Sequence, residues 1–281
     1  MLARSNSRAL RLGLCRAFEE SLAGIAPCLE NPTGPYAVSM NFAAALVRGT
    51  LQRRYKRFLA DVELPDGTVV IAHCPNPGSM TGMVEPGTEV WLSPASNPRR
   101  KLRWTWELVR DTATDSLVGV NTGLANAIVA EGLQKQALGR ALAARSIRRE
   151  VRYGKRSRVD FLFEDQDGRR CFLEVKSVTL RRSLHPPHIA EFPDAVTARG
   201  ARHLQDLATV CEGGDRAILL YLVQRMDCSA MRIAADIDPT YAEAAYHACR
   251  IGVEFLAVAS TLSIQGIAVS GPLPVQIGQA T

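Results

Sequence analysis

Arg158-Val159-Asp160-Phe161-Leu162-Phe163-Glu164-Asp165-Gln166-Asp167-Gly168-Arg169-Arg170-Cys171-Phe172-Leu173-Glu174-Val175-Lys176-Ser177 holds two apolar runs around Asp167-Gly168, a strong hairpin-turn dipeptide. With the turn centred on Asp167, Phe163 faces Cys171, Phe161 faces Leu173 and Val159 faces Val175, a wholly apolar face. The other face sets Leu162 against Phe172, Asp160 against Glu174 and Arg158 against Lys176. A slip of one residue would mix the two faces, so the pattern itself favours this register. Directly opposed residues have Cβ atoms about 4.5–5.5 Å apart, and like charges there are destabilising. Asp160 opposite Glu174 therefore calls for a divalent cation, and hard carboxylate oxygens suit Mg²⁺ or Mn²⁺. Lys176 follows on the same face, where it can orient an attacking water and stabilise charge on a phosphate.

The chain on either side of this hairpin changes its period. Downstream, a helix is expected from Asp194, taken as its N-cap, to Cys211, with Gly213-Gly214 as the stop. The fully apolar run over 217–223 reads as a strand buried on both faces. Asp238-Pro239 opens a second helix ending near Gly252, and 253–258 is a last buried strand. Upstream, Leu124, Ile128, Leu133, Leu138 and Leu142 suggest one helix. Together these elements describe a three-layer α/β/α domain over 118–281. Before it, strands over 58–64, 68–72, 89–92 and 104–109 alternate with turns such as Pro65-Asp66-Gly67 and Glu85-Pro86-Gly87. That spacing suggests a five-stranded OB-like barrel over 40–117. Residues 1–39 are rich in arginine, and Asn31-Pro32-Thr33-Gly34-Pro35 breaks any helix; they read as an extension, with Met40 as the natural start.

Composition narrows the function classes. The 281 residues are 47% hydrophobic and 22% charged, which excludes wholesale disorder. No apolar run approaches the roughly 18 residues of a membrane-spanning helix, so no membrane partner is expected. The seven cysteines form no CxxC, and an odd number of scattered thiols fits a reduced, cytoplasmic protein better than a disulfide scaffold. The net charge of +6 is compatible with nucleic acid without proving it.

Asp160 followed by Glu174-x-Lys176 resembles the core of the PD-(D/E)XK nuclease superfamily, a weak pattern alone. A more specific resemblance runs through Arg53-Arg54-Tyr55-Lys56-Arg57-Phe58-Leu59, Cys74-Pro75-Asn76 with Gly78, Met80-Thr81-Gly82 and Thr105-Trp106-Glu107-Leu108. It continues through Asn121-Thr122, Ser157 to Phe161, Glu174 to Leu180 and Phe192-Pro193-Asp194-Ala195-Val196-Thr197. Over about residues 48–276 the chain is similar to the sugar fermentation stimulation protein A family. The resemblance implies an OB-like first domain, a PD-(D/E)XK-type second domain and sequence-nonspecific DNA binding linked to sugar, notably maltose, use. It leaves 1–39 outside, in keeping with a start at Met40.

Further candidates surround the hairpin. In the superfamily the helix before it often supplies another carboxylate, here Glu131, whose bland alternative is a solvated helix residue. Arg199 and His203 are four apart on one helix face, as phosphate contacts or as a plain surface pair. Arg149, Arg152, Arg156 and Arg158 belong to a basic run leading into the Asp160 site, suited to phosphate or merely solvated. On the barrel, Arg53, Arg54, Lys56 and Arg57, with Arg99, Arg100, Lys101 and Arg103, offer charge beside Tyr55, Trp104 and Trp106 for stacking on bases. At least one of the two tryptophans belongs to the barrel core. Two functions remain open: a non-specific DNA (or RNA) binder, and a Mg²⁺- or Mn²⁺-dependent nuclease. A sequence-specific repressor is disfavoured, because the helix after Asp238 has only Arg250 as a basic residue. The non-specific reading predicts equal affinity for unrelated DNA sequences and a steep fall of affinity with salt. Anisotropy titrations at several salt concentrations measure both.

Overall fold

The computed structural model describes residues 38–154, 157–183, 185 and 187–278. The segment read as an extension lies outside them up to residue 37, as do Lys155 and Arg156. In chain order the strands before the first helix are β1 (Val38–Asn41), β2 (Val47–Tyr55), β3 (Leu59–Glu63), β4 (Val69–His73), β5 (Glu89–Pro94), β6 (Trp104–Arg110) and β7 (Leu117–Gly119). Helix α1 (Ala125–Gln134) follows, then β8 (Arg145–Tyr153), β9 (Ser157–Glu164), β10 (Arg170–Val178) and β11 (Ile189–Phe192). The chain continues through α2 (Ala198–Glu212), β12 (Arg216–Val223), β13 (Ala230–Ile233), α3 (Pro239–Ile251), β14 (Glu254–Leu262), β15 (Gly266–Leu273) and β16 (Val275–Gln276).

The barrel runs β4-β3-β2-β5-β6, and a β4–β6 pairing closes it; β7 extends the β6 edge. Its interior holds Leu51, Val62, Ala72, Met80, Val90, Leu92 and Trp106. Trp106 is fully buried, with its indole N–H donating to the Leu108 carbonyl at 2.9 Å, and Trp104 packs half-buried on the same core. Trp106 is thus core, and base stacking through it is not available. β1 is not a barrel strand: it pairs with β15, so residue 40, the expected start of the barrel, lies within the other sheet.

The second sheet has order β1-β15-β14-β12-β10-β9-β8, with α1 on one face and α2 and α3 on the other. β12 lies parallel between β10 and β14, fully covered on both faces, as its unbroken apolar run requires. Strands β11, β13 and β16 form a small parallel sheet that the sequence pattern does not announce. The expected single helix from Leu124 to Leu142 stops at Gln134, because Gln136 and Gly139 take left-handed backbone conformations. Leu138 folds back over Gly132, where a Cβ would sit 3.0 Å from its side chain. α2 begins later than expected: Thr197, not Asp194, caps it, accepting the Gly200 N–H at 3.0 Å. Asp238 caps α3 as expected.

A buried ionic cluster fixes the barrel to the second domain. Arg225 donates to Asp111, just after β6, at 2.6 Å and to Asp227 at 2.7 Å, and Arg181 lies 3.2 Å from Asp227. Thr114 donates to Asp227 at 2.7 Å. Alongside, the Gly119 N–H donates to the Gln224 carbonyl at 2.9 Å, an approach a Cβ on Gly119 would block. Burial pushes the Asp227 carboxyl up, but the hydrogen bonds and charge of Arg225, with Thr114 and Arg181, outweigh it and hold the group at about 2. Such a lowered carboxylate contributes stability in full above the ordinary aspartate range and loses it as pH falls towards 2. Asp227→Asn is expected to flatten the acid limb of the stability curve. Arg225→Met leaves two buried carboxylates to share Arg181 and is expected to cost about 3 kcal/mol in urea unfolding at pH 7.

Candidate metal and phosphate site

The hairpin adopts the expected register at its tip: Arg170↔Glu164, Cys171↔Phe163, Phe172↔Leu162 and Leu173↔Phe161. Pairing then stops. The β8–β9 ladder also passes from Val151↔Val159 to Arg149↔Phe161 and skips Asp160, with Glu150 at a φ of 53°. Phe161, Phe163, Cys171, Leu173 and Val175 pack towards α1, whereas Val159 packs with the α2–α3 core. The expected facing pairs Val159–Val175, Asp160–Glu174 and Arg158–Lys176 are therefore not ladder pairs. β10 is a central strand that pairs with β12 from Cys171 to Val178 on its other edge, so past Leu173 it keeps that neighbour while the β9 ladder ends.

That break in the ladder creates the site. Asp160 Oδ2 accepts the Val175 N–H at 2.7 Å, in place of the cross-strand carbonyl a regular hairpin would offer. Its Oδ1 accepts from Asn126 Nδ2, on the first turn of α1, at 2.7 Å. Burial and then the charge of Glu174 push the Asp160 carboxyl up, against these donors and Lys176. Glu174, 3% exposed, is asymmetric. Its Oε1 meets Lys176 Nζ at 2.8 Å and also the ring Nδ1 of His203, while Oε2 is buried without a hydrogen-bond partner. Burial pushes Glu174 up, but the His203 hydrogen bond and the charge of Lys176 outweigh it, and the carboxyl lies below its ordinary range.

The two carboxylates, Lys176, Asn126, Arg199 and His203 line a cleft of about 350 Å³. Its far wall is the barrel loop Asn76-Pro77-Gly78 between β4 and β5. Arg54 builds that loop, donating to the carbonyls of Asn76 at 2.9 Å and Gly78 at 3.0 Å, and to that of Arg57 at 3.1 Å. Thr122 donates to the Pro75 carbonyl at 2.8 Å. Asp194 lies against Gly78 so closely that a Cβ there would sit 1.8 Å from its Oδ2. Arg54→Ala is expected to cost about 1.5–3 kcal/mol, the range for hydrogen bonds to a charged donor. Faster amide exchange confined to 76–80 and its neighbours would locate the effect.

The other expected contacts divide. Glu131 is not on the cleft; it pairs with Lys135 at 2.6 Å one helical turn away, and Asn126 is the α1 residue that reaches Asp160. A lone amide in an apolar helix face is the one sequence signal that pointed to Asn126. His203 does pair with Arg199, accepting from its Nε at 3.3 Å, but its ring is buried at 3% exposure rather than on the helix surface. Arg149, Arg152 and Arg158 are exposed on the β8 edge and its neighbour, with Arg149 over the Phe161 ring at 5.6 Å. Arg156 lies outside the described residues. On the barrel, Arg53 pairs with Asp61 at 2.7 Å, Arg100 donates to Thr105 at 2.9 Å and Arg103 to the Pro98 carbonyl at 2.7 Å. Lys56, Arg57, Arg99 and Lys101 are exposed. Among the described residues no three His, Cys, Asp or Glu side chains converge as a closed metal cage. No helix of the described residues is long and apolar enough to cross a membrane.

Comparison with known proteins agrees with both halves of this description. Residues 53–120 match the SfsA N-terminal OB domain, and 123–266 match the sugar fermentation stimulation protein RE domain. A sugar fermentation stimulation protein homolog of Paramagnetospirillum magneticum is 51% identical over 238 residues, spanning 85% of this chain and 98% of the relative. One from Nitrosococcus oceani is 50% identical over 240 residues, spanning 85% of this chain and all of the relative. The structure of Pyrococcus furiosus SfsA in complex with Ca²⁺ superposes with a TM-score of 0.75 at 27% identity, covering 85% of this chain and 98% of that one. With an OB barrel, a nuclease-like domain and about half of the aligned residues identical in such relatives, the chain belongs to the sugar fermentation stimulation protein family.

Proposed function

We propose that this protein binds DNA or RNA without sequence preference and holds a divalent cation, Mg²⁺ or Mn²⁺, at Asp160 and Glu174. Phosphodiester hydrolysis is the reaction such a site serves. The observation that carries this reading is the bare, buried Oε2 of Glu174 beside a second carboxylate, Asp160, whose proton affinity is raised by burial and then by the charge of Glu174. An unpartnered buried carboxylate oxygen is costly unless a cation satisfies it. Two carboxylates without a closed cage suit Mg²⁺, which keeps several waters and takes one or two protein carboxylates. The Ca²⁺ held by the Pyrococcus furiosus relative supports a hard divalent ion here as well.

When bound, such an ion polarises a phosphoryl oxygen and lowers the pKa of a coordinated water. The protein's own residues supply the rest. Asn126 and the Val175 N–H hold Asp160 in one orientation. Lys176 places a positive charge beside Glu174, where it orients water and stabilises charge developing on a phosphate. The exposed arginines of the β8 edge, with Lys56, Arg57, Arg99 and Lys101 on the barrel, offer sequence-independent phosphate contacts. On this reading the family's link to sugar, notably maltose, use runs indirectly through nucleic acid.

The test uses the full chain with labelled single- and double-stranded DNA and RNA, in Mg²⁺, Mn²⁺ or EDTA. Cation-dependent cleavage is expected, reduced on the order of 100-fold or more in Glu174→Gln and Lys176→Ala, with binding retained. Binding without cleavage in every condition would remove the hydrolytic half of the reading.

A further inference from the structure

We propose that His203 is a positioning residue that joins Glu174 to Arg199, so that the cation-binding carboxylate and a phosphate-binding guanidinium form one unit. The inference rests on the reading of Asp160 and Glu174 as cation ligands. Arg199 and His203 lie one turn apart on the same face of α2. Arg199 Nε donates to His203 Nε2 at 3.3 Å, so that ring nitrogen is the acceptor. A neutral imidazole then carries its proton on Nδ1, the nitrogen that meets Glu174 Oε1. Lys176 Nζ reaches the same oxygen at 2.8 Å.

The consequence is a division of labour within one carboxylate. Oε1 takes both partners, Lys176 Nζ and His203 Nδ1, which lie side by side 3.4 Å apart. Oε2 is thereby presented bare. Arg199 is exposed at the cleft rim. Its Nε is committed to His203, and among the described residues no hydrogen bond engages Nη1 or Nη2. Those two groups form the planar fork that binds a phosphate in bidentate fashion. Cation, Glu174, His203, Arg199 and phosphate then make a continuous chain, and occupancy at one end stabilises occupancy at the other by the same factor.

The experiment compares the full-length wild type with His203→Phe, His203→Asn and Arg199→Ala. Mn²⁺ binding is read by calorimetry, and binding of labelled oligothymidylate by anisotropy in Ca²⁺ and in EDTA. Because supporting partners of metal ligands typically account for 10–100-fold in affinity, His203→Phe should weaken Mn²⁺ at least about tenfold, and His203→Asn, which keeps a donor towards Glu174, should stay within about threefold of wild type. Both should lose the Ca²⁺-dependent gain in oligonucleotide affinity to the level of Arg199→Ala. Should His203→Phe fail to fold, His203→Asn alone still reads the split between the two ligands. Wild-type affinities for Mn²⁺ and oligonucleotide in the histidine variants would overturn the inference. A wild type that binds no Mn²⁺ would instead sink the cation reading. The link itself is then judged by ¹⁵N NMR of the metal-free ring. A proton on Nδ1 that redistributes in Arg199→Ala supports it, and a proton on Nε2 in the wild type overturns it.

Discussion

A single hydrogen bond, from the Val175 N–H to the Asp160 carboxylate, is the constraint around which the site is arranged. In a regular hairpin that donor would find a carbonyl on the facing strand, and the two strands would continue side by side. Here a side chain supplies the acceptor, so the buried amide stays satisfied while the strands part. Parting opens the cleft while β10 stays paired with β12 on its other edge, and Asn126 of α1 holds the other oxygen of Asp160. The same step turns Glu174 towards α2, where His203 meets it. A buried acid pair is normally a defect. In this fold it sits at the one place where the regular ladder has been given up to accommodate it.

The barrel is part of that site rather than an independent module beside it. The β4–β5 loop forms the far wall of the cleft, and Arg54, read from sequence as a surface cation, spends its guanidinium on that loop's carbonyls. The buried cluster of Asp111, Arg181, Arg225 and Asp227 keeps the wall at a fixed distance. Charge on the barrel is accordingly of two kinds. Arg53, Arg54, Arg100 and Arg103 are engaged in holding turns and strands, whereas Lys56, Arg57, Arg99 and Lys101 project into solvent. A basic patch counted from sequence overstates what remains for a polyanion.

Much of the fold is legible in the chain because its signals are local. Asp167-Gly168 and the flanking alternation set the hairpin tip and its register. The apolar run ending at Val223 declares a central strand, and Asp238-Pro239 declares a helix start. Expectations failed where a local pattern was ambiguous or a distant partner intervened. Leu138 and Leu142 continue a helical spacing, but left-handed Gln136 and Gly139 end the helix first. Asp194 looks like a cap, yet it faces the barrel loop at Gly78, and Thr197 does the capping. The short strands of the third sheet carry too few residues to show a period.

The site divides along the same line. Asp160, Glu174 and Lys176 line one cleft, although the facing pairs by which the hairpin pattern singled them out are not formed. Their partners were not legible in the sequence. Asn126 and not Glu131 reaches Asp160, and His203 is buried against Glu174 instead of lying on a helix surface. The sequence by itself determined which strands form, how the hairpin tip registers and which residues carry the charge. Only the tertiary structure decided where the ladder breaks, which oxygen of Glu174 is left bare and which arginines remain free. Periodicity acts between neighbours a few residues apart, whereas hydrogen-bond satisfaction of a buried group depends on elements that meet only when the chain has closed upon itself.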